Sequence, residues 1–371
     1  MITTINNKHN KLNVPNLRFP EFEGEWEKCK LSDLCTFFSG GTPSSSNKDF
    51  YGGDIAFIRS GELHADSTEL FITQDGYDNS SAKMVEIGDL LLAMYGATSG
   101  DIAVSKIKGA INQAILCIRT NQNKKFIESV WNKHVSKILR KYLQGGQGNL
   151  SADIVKGISF SFPTLVEQET IANLISLLDE RIATQNKIID KLKSLIKGIR
   201  NKLFENDKDW RKAKIREFLC IGNGKDYKHL DIGDIPVYGT GGKMLSVNDF
   251  LYDGDSVCIG RKGTIDTPLF LTGKFWTVDT LFYTYGFKDV LPKFCYYLFK
   301  QINWQLYNEG TGVPSLSKST IENIKVRIPS IVQQYKICYI LDSYEDKIKN
   351  EGLILDLYCS QKQYLLRQMF V

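Results

Sequence analysis

Two glycine-rich stretches are the first places in this sequence where chemistry could sit. They are Ser39-Gly40-Gly41-Thr42-Pro43-Ser44 and Gly239-Thr240-Gly241-Gly242. A phosphate-cradling loop would end in Gly-Lys-Ser/Thr, the lysine on phosphate and the hydroxyl on Mg²⁺, and neither stretch does. Neither has the strand before it, helix after it and later acidic residue that a dinucleotide loop requires. The four histidines, His9, His64, His134 and His229, include no pair at helical metal-ligating spacing. The Pro-Pro dipeptide by which amino-methylating enzymes position a target amine is absent. Asp253 and Asp255 flank a glycine in Tyr-Asp-Gly-Asp, which reads as a turn rather than a metal site. No constellation here is catalytic or metal-binding.

What remains is a polar inventory suited to nucleic acid. Thr42, Ser44 and Ser45 occupy a loop read as flexible, with Arg59, Lys83, Lys106 and Lys108 nearby, and Gln144, Gln147 and Asn149 in a second glycine-rich loop. Further on, Lys225, Tyr227 and Lys228, then Thr240, Lys243, Arg261 and Lys262, play the corresponding parts. Arginine, glutamine, asparagine and hydroxyl side chains match base edges, while lysine mostly meets phosphate. The net charge of +5 is compatible with a polyanionic partner and does not establish one.

The elements that must carry these residues are written twice. Leu150-Ser151, followed by Ile158, Phe160, Phe162, Pro163, Val166 and Gln168, recurs as Leu316-Ser317 with Ile324, Val326, Ile328, Pro329, Val332 and Gln334. The offset is 166 (316 minus 150), and it holds without a gap to Phe204 and Phe370. Upstream the match loosens: Trp26-Glu27-Lys28 corresponds to Trp210-Arg211-Lys212, and Gly100-Asp101-Ile102 to Gly263-Thr264-Ile265. The matched tails read as helices. One seam runs Ile171, Ile175, Leu178, Ile182, Ile189, Leu192, Ile196, Ile199 and Leu203, broken by polar Gln185. The other runs Ile337, Leu341, Tyr344, Ile348, Leu355, Tyr358, Leu365 and Met369, broken at Glu351. The diverged segments carry short β-branched and aromatic runs, 55–58, 110–118, 255–259 and 276–285, punctuated by Gly, Asp and Asn.

The expected fold is therefore α+β: two tandem globular modules dominated by strands, each followed by a long helix, the helices packed as an antiparallel coiled coil with pseudo-two-fold symmetry. The expected segments are an N-terminal extension (1–25), module 1 (26–162), a central helix region (163–205), module 2 (206–328) and a C-terminal helix region (329–371). A helix from Ile182 to Phe204 would span roughly 35 Å at 1.5 Å per residue. That is close to one turn of B-DNA, roughly 34 Å, the separation of paired half-sites. No secretory or membrane-spanning segment is legible, and the eight scattered cysteines form no zinc-ligand spacing, so reduced thiols in a cytoplasmic protein are expected.

The sequence resembles the specificity subunits of type I restriction–modification systems. The resemblance rests on Leu17-Arg18-Phe19-Pro20-Glu21-Phe22 with Trp26, the Ser-Gly-Gly-Thr-Pro-Ser loop, and Leu150-Ser151…Pro163…Glu167-Gln168…Ile171-Ala172 running to Arg200-Asn201-Lys202-Leu203-Phe204. The second half repeats it as Leu316-Ser317…Pro329…Gln333-Gln334, but only Gly222-Asn223-Gly224-Lys225 follows Cys220 in place of the first loop. The resemblance implies two target-recognition domains reading the halves of a split, asymmetric site in double-stranded DNA, and helices that dock two methyltransferase subunits. The repeated surface Glu167, Gln168, Ile171 and Arg181, with Gln333, Gln334, Ile337 and Lys347, is the expected partner contact. Restriction/translocase subunits would complete the assembly, with S-adenosylmethionine, ATP and Mg on the partners and none on this chain. The competing readings are a nuclease or methyltransferase of unfamiliar motif, and a repeat adaptor that never touches DNA.

Overall fold

A computed structural model describes residues 13–142, 149–205 and 209–371. The chain divides into two compact units, residues 1–185 with 354–371, and residues 186–353. The helix regions expected as separate segments are thus shared out: each unit takes the start of one long helix and the end of the other.

In the first unit the strand Glu27–Lys30 pairs antiparallel with Ser159–Phe162, so the first and last strands of the module close on each other. Between them lie two four-stranded sheets. One is antiparallel, in the order Cys35–Ser39, Ile115–Thr120, Leu90–Ala93, Ile102–Val104. The other is mixed, in the order Phe71–Ile72, Tyr51–Ile58, Gly109–Ile111, Lys83–Val85, with one parallel pair. The second unit repeats this plan. Arg211–Lys214 pairs with Lys325–Ile328. An antiparallel sheet orders Cys220–Asn223, Leu281–Tyr285, Ser256–Gly260 and Leu269–Leu271. A mixed sheet orders Gly242–Val247, Ile232–Gly239, Lys274–Thr277 and Tyr252–Asp253.

Two of the apolar runs are interrupted. The run 110–118 is two strands parted by a turn in which Asn112 Oδ1 accepts the Ala114 amide. The run 276–285 breaks at Val278, whose carbonyl accepts the Leu281 amide. Side-chain or backbone capping of a tight turn outcompetes strand propensity at both places. Each module also holds a helix that the strand-rich reading did not resolve, Lys124–Tyr142 and Pro292–Phe299. These helices fill the core: Phe126, Ile127, Val130 and Trp131 are buried in the first unit, Phe294, Cys295, Tyr297 and Phe299 in the second.

The long helices run Leu165–Glu205 and Ile331–Gln368, 41 and 38 residues. Each starts behind a proline on a hydroxyl residue. Thr164 Oγ1 accepts the Glu167 amide, and Ser330 exchanges hydrogen bonds with Gln333 as a reciprocal cap. No proline follows and the single interior glycines, Gly198 and Gly352, do not stop the helices, so the first helix has a contour of some 60 Å at 1.5 Å per residue, longer than the 182–204 stretch alone. The seam positions serve the module cores. Ile171 and Ile175, with Leu366, Met369 and Phe370, are buried in the core of the first unit. Ile337 and Leu341 belong to the core of the second, against which Ile196, Ile199, Leu203 and Phe204 pack half-buried.

An aromatic trio marks each junction. Trp26, Phe126 and Phe370 have ring centroids 5.1–6.4 Å apart, and Trp210, Phe294 and Phe204 lie 5.6–6.2 Å apart. Phe370 and Phe204 are the same repeat position. In each unit a carboxylate on the long helix that follows the module grips two lysines: Asp179 takes Lys125 of the module helix and Lys362 of the other long helix, and Glu345 takes Lys293 of the module helix and Lys300 just beyond its end. Burial pushes both carboxyl groups up, but the lysines outweigh it and hold them below the ordinary carboxylate range. Among the described residues no helix is long and apolar enough to cross a membrane.

Candidate nucleic-acid interface

At one end of each antiparallel sheet, four loops meet through backbone hydrogen bonds. In the first unit the Gly41 amide donates to Ile111 O, Met94 to Ala114 O and Leu150 to Met94 O. In the second, Lys225 donates to Thr277 O, Arg261 to Thr280 O and Leu316 to Arg261 O. The strand-to-loop passage is so close that only glycine fits. A Cβ on Gly40 would stand 1.8 Å from Ile111 O, and one on Gly224 1.9 Å from Val278 O. The backbone geometry of the Ser-Gly-Gly-Thr-Pro-Ser loop is therefore kept where the second half has Gly-Asn-Gly-Lys instead.

The first loop, read as flexible, is held by side-chain hydrogen bonds. Thr42 Oγ1 bonds Gln113 Oε1, Tyr51 OH donates to Pro43 O at 2.7 Å, and the Ser44 and Ser46 hydroxyls meet at 2.7 Å. Ser45 is an exposed turn residue between them. Lys83 faces Ile111, the residue whose carbonyl accepts the Gly41 amide, across the strand pair, and exposed Asn149 precedes the Leu150 anchor. Gln144 and Gln147 lie outside the described residues.

The second unit gathers more of its candidates. Arg261, Lys262, Asn223, Asp279, Thr280, Glu309, Ser315, Ser317 and Lys318 line one polar cleft of about 520 Å³. Thr240 joins from the side, since a Cβ on Gly263 would lie 3.7 Å from its hydroxyl. Arg261 also stacks over Phe282, 5.9 Å from the ring centroid. Lys225 and Lys228 are exposed on the neighbouring loop and Lys243 on the adjoining strand.

With this geometry in view, comparison with known proteins decides the family. The sequence matches the type I restriction modification DNA specificity domain twice, over residues 23–194 and 207–356. The chain belongs to this family. It is similar to the type I restriction enzyme MjaVIII specificity subunit of Methanocaldococcus jannaschii, 23% identical and spanning 90% of this chain and 88% of that one. It is also similar to the EcoprrI specificity subunit of Escherichia coli, 20% identical over 87% and 88% of the two chains. Its fold is similar to that of the type I S subunit from M. genitalium, with a TM-score of 0.64, 18% identity, and 96% and 99% of the chains covered. A chain from a study of complex assembly in a type I R-M system gives a TM-score of 0.59 at 14% identity, over 92% and 96%.

Several residues singled out from the sequence have other work in this specificity-domain chain. Lys106 and Lys108 sit on the loop after Ile102–Val104, at the sheet end away from Met94, paired with Asp66 and Glu86. Arg59 spends its guanidinium on Glu62 at 2.8 Å. Tyr227 is half-buried against the small core of Val237, Val247, Trp276 and Val278. Most of the expected partner contacts are turned inward. Glu167 is 1% exposed and accepts Arg18 and the Trp26 indole. Gln168 and Gln334 are buried, holding Asn123 N and Leu291 N, the turns before their module helices. Ile171 and Ile337 are core. Only Arg181, Gln333 and Lys347 stand exposed.

The sequence reading passed over Gln113, Asn223, Lys318 and the whole segment 308–315. The signal was available: the offset of 166 carries Gln144–Asn149 onto Gly310–Ser315.

Proposed function

We propose that this chain is the DNA-reading subunit of a type I restriction–modification complex, each module recognising one half of a split, asymmetric site in duplex DNA. The observation that carries the reading is that one backbone frame, Gly41/Ile111, Met94/Ala114 and Leu150/Met94, recurs as Lys225/Thr277, Arg261/Thr280 and Leu316/Arg261 under different side chains. A shared frame with divergent polar groups suits two readers of two base sequences. Exchanging residues 26–162 for the module of a related subunit tests it. One half of the methylated site should change and the other persist; both changing together would refute independent reading.

Two methyltransferase subunits dock on exposed faces of the long helices, with restriction/translocase subunits joining them. S-adenosylmethionine, ATP and Mg reside on those partners, and the chain alone is inert. Native mass spectrometry of the assembled complex should show two methylating chains per specificity chain. Methyl transfer by the pure chain would overturn the assignment.

We read the helices as an antiparallel pair of pseudo-two-fold symmetry. Within the first unit, Lys362 meets Asp179 while Phe370 lies beside Trp26, whose indole reaches Glu167. Within the second, Leu203 and Ile337 line one groove. If the pair spaces the readers, one heptad inserted after Leu192 and one after Tyr358 should lengthen the unread DNA spacer by about one to three base pairs, seven residues adding roughly 10 Å. An unchanged spacer in an active complex would reduce the helices to a docking surface.

A further inference from the structure

The segment Asn308–Ser315 forms one wall of the second unit's cleft, and it is built to keep its shape. Asn308 Oδ1 accepts the amides of Gly310 and Ser315, and its own amide group donates to Gly310 O. The Glu309 amide donates to Ser315 O at 2.9 Å, and the Gly263 amide to Pro314 O at 2.8 Å. The tip folds so tightly that a Cβ on Gly310 would stand 2.0 Å from Val313 O. At the base the Glu309 carboxylate accepts the hydroxyls of Thr320 and Ser317, which hold its carboxyl below the ordinary range, Thr320 the more. The ordering entropy of this loop is thus spent on folding, before any ligand arrives.

The rim is chemically divided. Arg261, Lys262 and Lys318 are exposed cations, Lys318 lying 3.7 Å from Glu322, whereas Asp279 and Glu309 also line the same cleft. A phosphate is drawn to the first set and repelled by the second, so the two sets together favour a strand that offers phosphate to the cations and base edges to the rest. The tip of the segment presents Thr311, Gly312 and Val313 to solvent, Val313 being 53% exposed. A lone exposed valine is ordinary. Val313 stands out because the two residues after it are tied to the cleft, Pro314 O accepting the Gly263 amide and Ser315 bridging to Lys262, and the one apolar group in the DNA major groove is the thymine 5-methyl.

We infer that Val313 is a specificity-determining residue of the second module, its methyls packing on a thymine 5-methyl while Arg261, Lys262 and Lys318 hold the flanking phosphates. The inference rests on the proposed reading of duplex DNA and names one base contact within it. It is tested on the full chain assembled with its methylating subunits, by selecting a randomised duplex library and sequencing the bound fraction. Val313→Ser, an exposed change, should relax preference for thymine at one position of one half-site and leave the other half-site intact. Uracil in place of that thymine should weaken wild-type binding about fourfold, the worth of one buried methyl, and leave V313S unaffected. Lys318→Gln should weaken all sequences alike and flatten the salt dependence.

A clear wild-type preference that V313S leaves unaltered overturns the inference alone. So does a uniform loss across sequences, which would make the tip a backbone contact, or loss of a methylating subunit, which would make it a protein contact. A wild-type complex selecting no sequence would remove the proposed function and this inference together.

Discussion

The two units close their helix junctions with the same aromatic trio but surround it differently. In the first, the segment Leu17-Arg18-Phe19 lies against the junction: the Leu17 amide donates to Gln368 O, and Arg18 grips buried Glu167 with two bonds of 2.8 Å. In the second, the position of Glu167 is Gln333, exposed, and Ile199, Leu203, Trp210, Lys336 and Ile337 border an apolar groove. The ring positions are set by shape, which both copies must satisfy to pack at all. The charge at 167 is set by what covers it, since a buried carboxylate persists only with a partner.

The largest expected break in this comparison is at the rings. Phe370→Ala should cost about 3–5 kcal/mol, because Phe370 is fully buried, and Phe204→Ala, half-buried, about 2–3 kcal/mol. Urea unfolding with hydrogen exchange resolved by unit should place each loss in its own unit; equal losses in both would argue against the division.

Next comes the arm. Arg18→Ala strands the Glu167 carboxylate and should destabilise the first unit by about 3 kcal/mol. Adding Glu167→Gln, the residue type of the second unit, should recover most of it. Gln333→Ala strands no charge and should cost only about 0.5–1 kcal/mol, the loss of its half of the Ser330 cap.

A smaller effect separates the ionic clasps by pH. Asp179 and Glu345 titrate below their unfolded values, so their stabilisation is complete above the unfolded carboxylate pKa, about 4–4.5, and is lost as pH falls through the folded value. Asp179→Asn should therefore cost about 2 kcal/mol at neutral pH and little near pH 3. A cost independent of pH would assign Asp179 to packing rather than charge.

The smallest contrast lies among lysines. Lys262→Ala should lower the slope of log affinity against log salt by about 1, since one phosphate fewer is neutralised on binding. Lys106→Ala, paired with Asp66 at the other end of its sheet, should change neither slope nor stability by a measurable amount. A matching drop for Lys106→Ala would move the interface to that end.

Much of this was legible beforehand because it is local. The offset of 166 marks the helices, their proline and hydroxyl starts, and the last strand of each module. The glycines at 40 and 224 and the polar groups around them mark the clefts. The interruptions at Asn112 and Val278 were hidden inside apolar runs, since a side-chain or backbone cap leaves hydrophobic content unchanged. Lys106 and Lys108 were grouped with Thr42 because chain proximity cannot tell the two ends of a strand pair apart.

By itself the sequence determined that the chain holds two related modules and two long amphipathic helices, because periodicity and repetition need no knowledge of contacts. Only the tertiary structure decided what the helices bury. A heptad stripe states that Leu203, Ile337 and Met369 avoid water and is silent about which surface receives them. Burial of Glu167 likewise depends on Arg18, 149 residues away in the chain, and of Gln334 on the turn before Pro292. Such contacts are made by residues brought together only on folding, and no local pattern encodes them.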